Sequence, residues 1–262
     1  MVAAIDWHVV WSRISHPDQT MLLALERTIY IAVAAQFFGV LLGLAAALAR
    51  MSRLRLLRFL SGLYVLVIRG TPVIVQIFFV YFGTNLLFGF TLIPNTLHLG
   101  LFSLDGAAFA GIVALAINEG AYMREIIRSG IDAIDPGQME AARSLGMTHG
   151  LAMRRIVLPQ AARVIVPPLG NEFNGMLKTT SLLAFIGVYE LFQDAEVHYS
   201  NTFQPVEYFV AVAWWYLLLT LVWALIQAQI EHRLTASERE RKLSVRERLV
   251  AAWTPTEAWA RR

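Results

Sequence analysis

IDPGQMEAARSLGMTHGLAMRRIVLP, Ile134 to Pro159, is a polar, arginine-bearing stretch set between two apolar runs. Asp135 is placed to accept from first-turn amides, Pro136 suits the first helical position, and Gln138 falls where a capping-box side chain reaches back. Gly146 then supplies a helix stop. Together these residues predict a short capped helix, a glycine stop and a second helix leading back into an apolar run. A solvated hairpin between two spans would explain that much, but the spacing of Glu140-Ala141-Ala142, Gly146 and Ile156-x-Leu158-Pro159 says more.

The flanks decide the class. The chain has 262 residues, of which 57% are hydrophobic, and its mean hydropathy is positive, so a multi-span membrane protein is expected. Cysteine is absent, which excludes a disulfide framework and thiolate metal sites. The net charge of +3 is small and the basic residues are grouped, which argues for membrane orientation and against nucleic-acid binding. The opening MVAAIDWHVVWSRISHPDQT carries Asp6 and Asp18 and lacks a basic region before a cleavage site, so no cleaved signal peptide is expected.

A hydrocarbon core needs about 20 apolar residues of helix. Five stretches qualify: Thr28 to Ala49, Phe59 to Phe82, Asp105 to Ile126, Arg163 to Val188 and Tyr208 to Ile230. The expected fold is therefore an all-α membrane domain of five transmembrane helices, with a loop at 128–160 and a tail at 231–262. In the first span, Gly39 and Gly43 are spaced for close helix approach. Arg69-Gly70-Thr71-Pro72 divides the second run, leaving either one kinked span with an arginine inside or an interfacial helix before a shorter span.

Orientation follows from arginine counting. Arg50, Arg53, Arg55 and Arg58 lie in the first loop, and Arg124, Arg128, Arg143, Arg154, Arg155 and Arg163 surround the stretch at 134–159. A third basic group follows the fifth span, whereas the loop Thr84 to Ser103 and the loop after Val188 have no Lys or Arg. The positive-inside rule puts the N-terminus outside, and the hairpin and C-terminus in the cytoplasm. The tail segment ASERERKLSVRERLV alternates charges and reads as a solvated or membrane-surface helix.

Polar residues inside spans are the candidates for function. Asn171, Asn174 and Lys178 are spaced along one helix face, with Glu172 at its edge. Asn118 and Glu119 on the third span are the expected partners, Glu119 roughly 20 Å along the helix from Asp105. Lys178 and the carboxylates could engage the two ends of a zwitterion, which points to amino-acid-like solutes. Two carboxylates in one cavity also suit a cationic side chain, a choice the spacing leaves open. The alternative is an ion-pair or hydrogen-bond cluster that only holds the spans together.

One motif is a decoy. Gly170 to Gly175 followed by Lys178 imitates a phosphate loop, but the lysine is two residues late and the setting is a span. Nucleotide binding by this chain is not expected, so ATP and its magnesium belong to a partner.

The stretch at 134–159 resembles the EAA loop of the membrane subunits of bacterial ABC importers, with Glu140, Ala141, Ala142, Gly146, Ile156, Leu158 and Pro159 at the family's spacing. Arg69-Gly70-Thr71-Pro72 with Gln76, Ala121-Tyr122 with Glu125 and Arg128, Leu158-Pro159-Gln160, Pro167-Pro168-Leu169-Gly170-Asn171 and Lys178-Thr179-Thr180-Ser181-Leu182 extend the likeness. Over roughly Thr20 to Ile230 the chain looks like the polar amino acid permeases of the histidine and glutamine type. The resemblance implies the type I ABC importer permease fold in the bacterial cytoplasmic (inner) membrane, without enzyme activity of its own. It also implies two ATP-binding subunits, a second permease chain, identical or similar, an extracytoplasmic solute-binding protein, and membrane lipid around the spans. Coupling to the ATPase would fall to about Pro136 to Leu145, and the solute would be a polar amino acid, with basic ones among the candidates. Two positions depart from the family's usual pattern: a small residue is commoner where Glu119 stands, and an acidic or amide residue is commoner than Thr179.

Other functions compete with import of amino acids. EAA loops serve importers of other small solutes. A passive channel would leave the ordered hairpin unexplained. An intramembrane enzyme would need an acid or base such as Glu119, Glu172 or a histidine, but His8, His16, His98, His149, His198 and His232 lie outside the spans or at their edges. None form a metal-like pair at helical spacing, so no metal site is expected.

Overall fold

Two aspartates start the first helices. In a computed structural model that describes residues 5–83, 86, 89, 96–99 and 102–242, Asp6 accepts from the amides of His8 and Val9 and opens α1 (Trp7–Ser15). Asp18 accepts from Met21 and opens α2 (Gln19–Met51), which begins well before the span expected from Thr28. α2 buries a stripe that includes Ala24, Ile31, Ala35, Gly39 and Gly43, while Phe37, Leu41 and Leu48 remain exposed. A helix with apolar residues on both its packed and its open sides is what a membrane requires.

The Arg69–Pro72 break separates α3 (Arg55–Arg69) from α4 (Val73–Phe78), and a π turn extends α4 over Phe79–Gly83. The two pieces are bent by 107°, too sharp for a single rod with a mild kink. Thr71 Oγ1 donates to the Val67 carbonyl at 2.9 Å, and the Gln76 amide donates to the Ile68 carbonyl at 2.7 Å and to Thr71 Oγ1 at 2.9 Å. Backbone groups freed by the break thus find side-chain partners.

A small two-stranded hairpin precedes the next helix in this otherwise helical fold. β1 (Thr96–Leu99) and β2 (Phe102–Asp105) pair antiparallel, Thr96 opposite Asp105 and Leu99 opposite Phe102. Each strand alternates polar and apolar residues, the two-residue period of a strand and not of a helix. Asp105 also caps α5 (Gly106–Asp132), accepting from the Ala108 amide at 2.7 Å.

α5 packs along α2 at close range. A Cβ at Gly39 would lie 2.6 Å from Glu119 Cγ, and one at Gly43 would lie 2.3 Å from Met123 Cβ and 2.9 Å from the Arg124 amide nitrogen. Only hydrogen fits at those two positions, so the helices approach backbone to backbone.

The stretch at 134–159 folds as α6 (Pro136–Ser144) and α7 (His149–Ala152), followed by a π turn over Met153–Val157. Asp135 caps α6 through Gly137 at 2.8 Å. Gln138 does not reach back to the cap; its oxygen faces Gln160 at 3.5 Å. The Met147 amide donates to Ala142 and the Gly146 amide to Arg143, with Gly146 at φ 81°, a Schellman stop.

α8 (Leu158–Thr179) carries Pro167 and Pro168 inside it and continues as a 3-10 turn over Thr180–Ile186. α9 (Leu191–Thr202) is capped by Glu190, and α10 (Pro205–Lys242) is the longest helix. The charged tail from residue 243 lies outside the described residues. α10 fastens to the α8 backbone, Trp223 donating to the Gly170 carbonyl at 2.8 Å and Gln227 to that of Pro167 at 3.2 Å.

Among the described residues, three clusters form the core. The central one joins α2, α4, α5 and α8 through Ile31, Ile77, Leu115 and Leu177. Another gathers Met21, Leu191 and Val212, and a third gathers Ala47, Met123 and Ile127. Beside the second, Glu190 is fully buried, accepting from the Tyr216 hydroxyl at 2.5 Å and from the amides of Phe192 and Gln193. Burial pushes its carboxyl up to about 7 against the opposing pull of those three donors.

By length and hydropathy, α2, α5 and α10 to Leu234 can each cross a membrane, and the bent α3–α4 pair is a fourth span if counted as one. The architecture is therefore a helical membrane fold with three to four such spans among the described residues, against the five expected. α8, with Arg163, Glu172 and Lys178 along it, does not qualify on hydropathy.

Candidate functional site

Three elements enclose a cavity of about 390 Å³. The α3–α4 junction contributes Thr71, Pro72 and Val73; α5 contributes Leu115, Asn118, Glu119 and Tyr122; α8 contributes Glu172, Gly175, Met176 and Thr179. On both helices the lining residues recur three or four apart, as one helical face must. The space is within the range of small-molecule sites.

Its polar groups are held from behind. Asn118 donates to Gln76 Oε1 at 3.0 Å, which ties α5 to the clamp at the α3–α4 bend. Gln36, on α2, donates to Glu119 Oε1 at 2.9 Å and lies 3.9 Å from Met123 Sδ. Gln36 Oε1 is buried and has no hydrogen-bond partner among the described residues. Tyr64 donates to the Ile117 carbonyl at 2.6 Å, a further tie between α3 and α5. Arg69 sits over the Tyr122 ring, 5.0 Å from its centroid, a cation–π contact at the cavity's edge.

The sequence-predicted residues divide. Asn118, Glu119 and Glu172 come together at the cavity. Asn171 turns away and accepts from Gln227 of α10 at 3.2 Å, while Lys178 is exposed near the end of α8. Neither Asn174 nor Lys178 lines this cavity, so the lysine expected to meet the carboxylate end of a zwitterion lies apart from Glu119 and Glu172. Glu172, one residue off the expected stripe, is the charged α8 residue that shares the cavity with Glu119. Gln36, Gln76, Thr71 and Tyr122 were not singled out for the site, although amides at 36 and 76 inside apolar runs are the sequence signal that marks them.

The hairpin is the second candidate site. Ala142 is buried, which seats α6, while Glu140, Ala141 and Leu145 are exposed, Leu145 by 83%. Among the described residues the Glu140 carboxylate makes no hydrogen bond or ion pair; only its backbone carbonyl is used, by Ser144. Ile156 and Pro159 flank Leu158 where the π turn passes into α8. A charged, capped helix with an unpaired carboxylate and an exposed leucine suits contact with another protein. The decoy phosphate motif at Gly170–Gly175 lies within continuous helix.

Comparison with known proteins gives a consistent result. A family model described as "binding-protein-dependent transport system inner membrane component" matches residues 39–236. The probable amino-acid permease protein YxeN of Bacillus subtilis (strain 168) is 36% identical over 90% of this chain and 98% of its own length. The glutamine transport system permease protein GlnP of Escherichia coli (strain K12) is 33% identical over 87% of this chain and 97% of its own. A chain from the crystal structure of an amino acid ABC transporter with histidines superposes with a TM-score of 0.75 at 38% identity, covering 89% of this chain and 100% of that one.

Proposed function

This chain belongs to the family of binding-protein-dependent transport system inner membrane components, and on that premise we propose that it carries polar amino acids, basic ones included, across the membrane. It is a multi-pass inner-membrane permease of an ABC importer, not an enzyme, and the family implies a complex with ATPase subunits and a binding protein.

The observation that carries the solute reading is the cavity between the α3–α4 junction, α5 and α8, of a size for one amino acid and lined by carboxylate, amide and hydroxyl groups. The names of the relatives, an amino-acid permease and a glutamine permease, support the same class. Asn118, Glu119 and Glu172 form the pathway at the cavity. Asn171, Asn174 and Lys178 belong to a part of the pathway completed by the second permease chain, identical or similar to this one.

Five spans are proposed, α8 being the polar one and α3–α4 a broken one, with the N-terminus outside and the C-terminus in the cytoplasm. Arginine grouping supports that orientation, and it puts α6 on the cytoplasmic side, where it receives work from two ATPase subunits that hold the ATP and magnesium. Glu140, Ala141, Ala142 and Gly146 form the coupling surface, and Ile156, Leu158 and Pro159 transmit its movement into α8.

The test is reconstitution of the chain with its ATPase and binding protein in proteoliposomes, followed by uptake of radiolabelled solutes. ATP-dependent uptake of an amino acid is expected. Uptake confined to a sugar or a metal ion would refute the substrate class.

A further inference from the structure

Glu119 is only 4% exposed, yet its sole side-chain hydrogen bond among the described residues is the one Gln36 donates to Oε1. The other oxygen has no hydrogen-bond partner among the described residues, and the residue lines the cavity. Glu172, across the same space, makes neither a hydrogen bond nor an ion pair among the described residues. Arg69 acts on Glu172 electrostatically, but its guanidinium is engaged over Tyr122 and does not line the cavity. No lysine, arginine or histidine is among the lining residues, and Lys178 is exposed elsewhere. A buried carboxylate with an open oxygen is costly until a cation meets it.

We propose that this cavity selects solutes with a cationic side chain, an ammonium or guanidinium received between Glu119 and Glu172, with Gln36 as the residue that positions Glu119. The proposal rests on the import of amino acids argued above. The donor set fits an organic cation better than a metal ion, because no group of three acidic or histidine side chains converges among the described residues. Guanidinium is planar and presents several donors in a fixed fork, which suits it to engaging carboxylates bidentately. Asn118, Thr71 and Thr179 supply neutral polar groups for the rest of the solute. Gly39 makes the arrangement possible, since any side chain there would occupy the space of the Glu119 methylenes.

The assay is direct binding to the permease–ATPase complex in lipid nanodiscs without the binding protein, which otherwise imposes its own selectivity. L-arginine is compared with L-citrulline, a near-isostere in which a neutral urea replaces the guanidinium. Arginine is expected to bind about tenfold or more tightly than citrulline, as charge-assisted hydrogen bonds exceed neutral ones. Glu119→Gln and Glu172→Gln should each reduce that ratio, and Gln36→Leu, which removes the donor that positions Glu119, should reduce it as well. Equal binding of arginine and citrulline, or a ratio unmoved in both glutamine variants, overturns the proposal. Should Glu119→Gln fail to assemble, Glu172→Gln decides alone. Equal uptake of neutral and basic amino acids would leave amino-acid import standing and remove only the charge selection, whereas failure to bind or transport any amino acid would remove both.

Discussion

Gly43→Ala should be among the most damaging single-methyl additions in the chain. The new Cβ would lie 2.3 Å from Met123 Cβ, 2.9 Å from the Arg124 amide nitrogen and 3.0 Å from the Gly120 carbonyl oxygen. Two of those three neighbours are backbone, so no rotamer change relieves the overlap, and α2 and α5 must separate. Overpacking of this kind costs about 1–3 kcal/mol. For a chain of this size that lowers the melting temperature by about 5 °C, read by tryptophan fluorescence in detergent micelles. Gly62→Ala is the internal control: it lies in α3 with nothing within 4 Å of the added Cβ, and alanine there should be neutral or slightly stabilising. Equal melting temperatures for the two variants would refute the close α2–α5 approach.

Gly146→Ala should weaken the α6 stop, because φ is 81° there and alanine pays a steric penalty of about 1 kcal/mol; faster proteolysis of the hairpin in membranes is the readout, and an unchanged rate would contradict the Schellman geometry. Glu190 gives a pH dependence. Its carboxyl is raised from 4.5 to about 7, so the native state holds a proton that the unfolded chain releases, and the stabilisation is complete below about 4.5 and lost as pH rises through about 7. The difference amounts to about 3 kcal/mol. Glu190→Gln should flatten the fall in melting temperature over that window, and an unaltered slope would show that another group titrates.

The hairpin was legible in the sequence because each of its signals is local. Asp135, Pro136 and Gly146 act through their own backbone neighbourhoods, and the structure uses all three. Gln138 misled because a capping-box side chain competes with tertiary partners, and here Gln160 is the nearer one. The α3–α4 bend was visible as a break, but the hydrogen bonds by which Gln76 reaches back across it were not.

The cavity was less legible. Helical spacing told that Asn171, Asn174 and Lys178 share a face; it could not tell which face turns inward. In a soluble protein the apolar face would answer that, but lipid makes the outside of a span apolar as well. Thus α8 presents Glu172 to α5 and gives Asn171 to α10. Gln36 is marked as an amide inside an apolar run, but a lone amide in an apolar helix does not name its partner.

The central claim is that α6 delivers the work of a separate ATPase to the cavity. Glu140, whose carboxylate has no partner among the described residues, is the place to break that link without touching the fold. The decisive measurement is ATP-driven uptake by Glu140→Lys in the assembled transporter, with co-purification of the ATPase recorded beside it. Loss of both, at a wild-type level of the chain in the membrane, is the expected result. Unchanged ATPase association with unchanged uptake would contradict the coupling role of the hairpin.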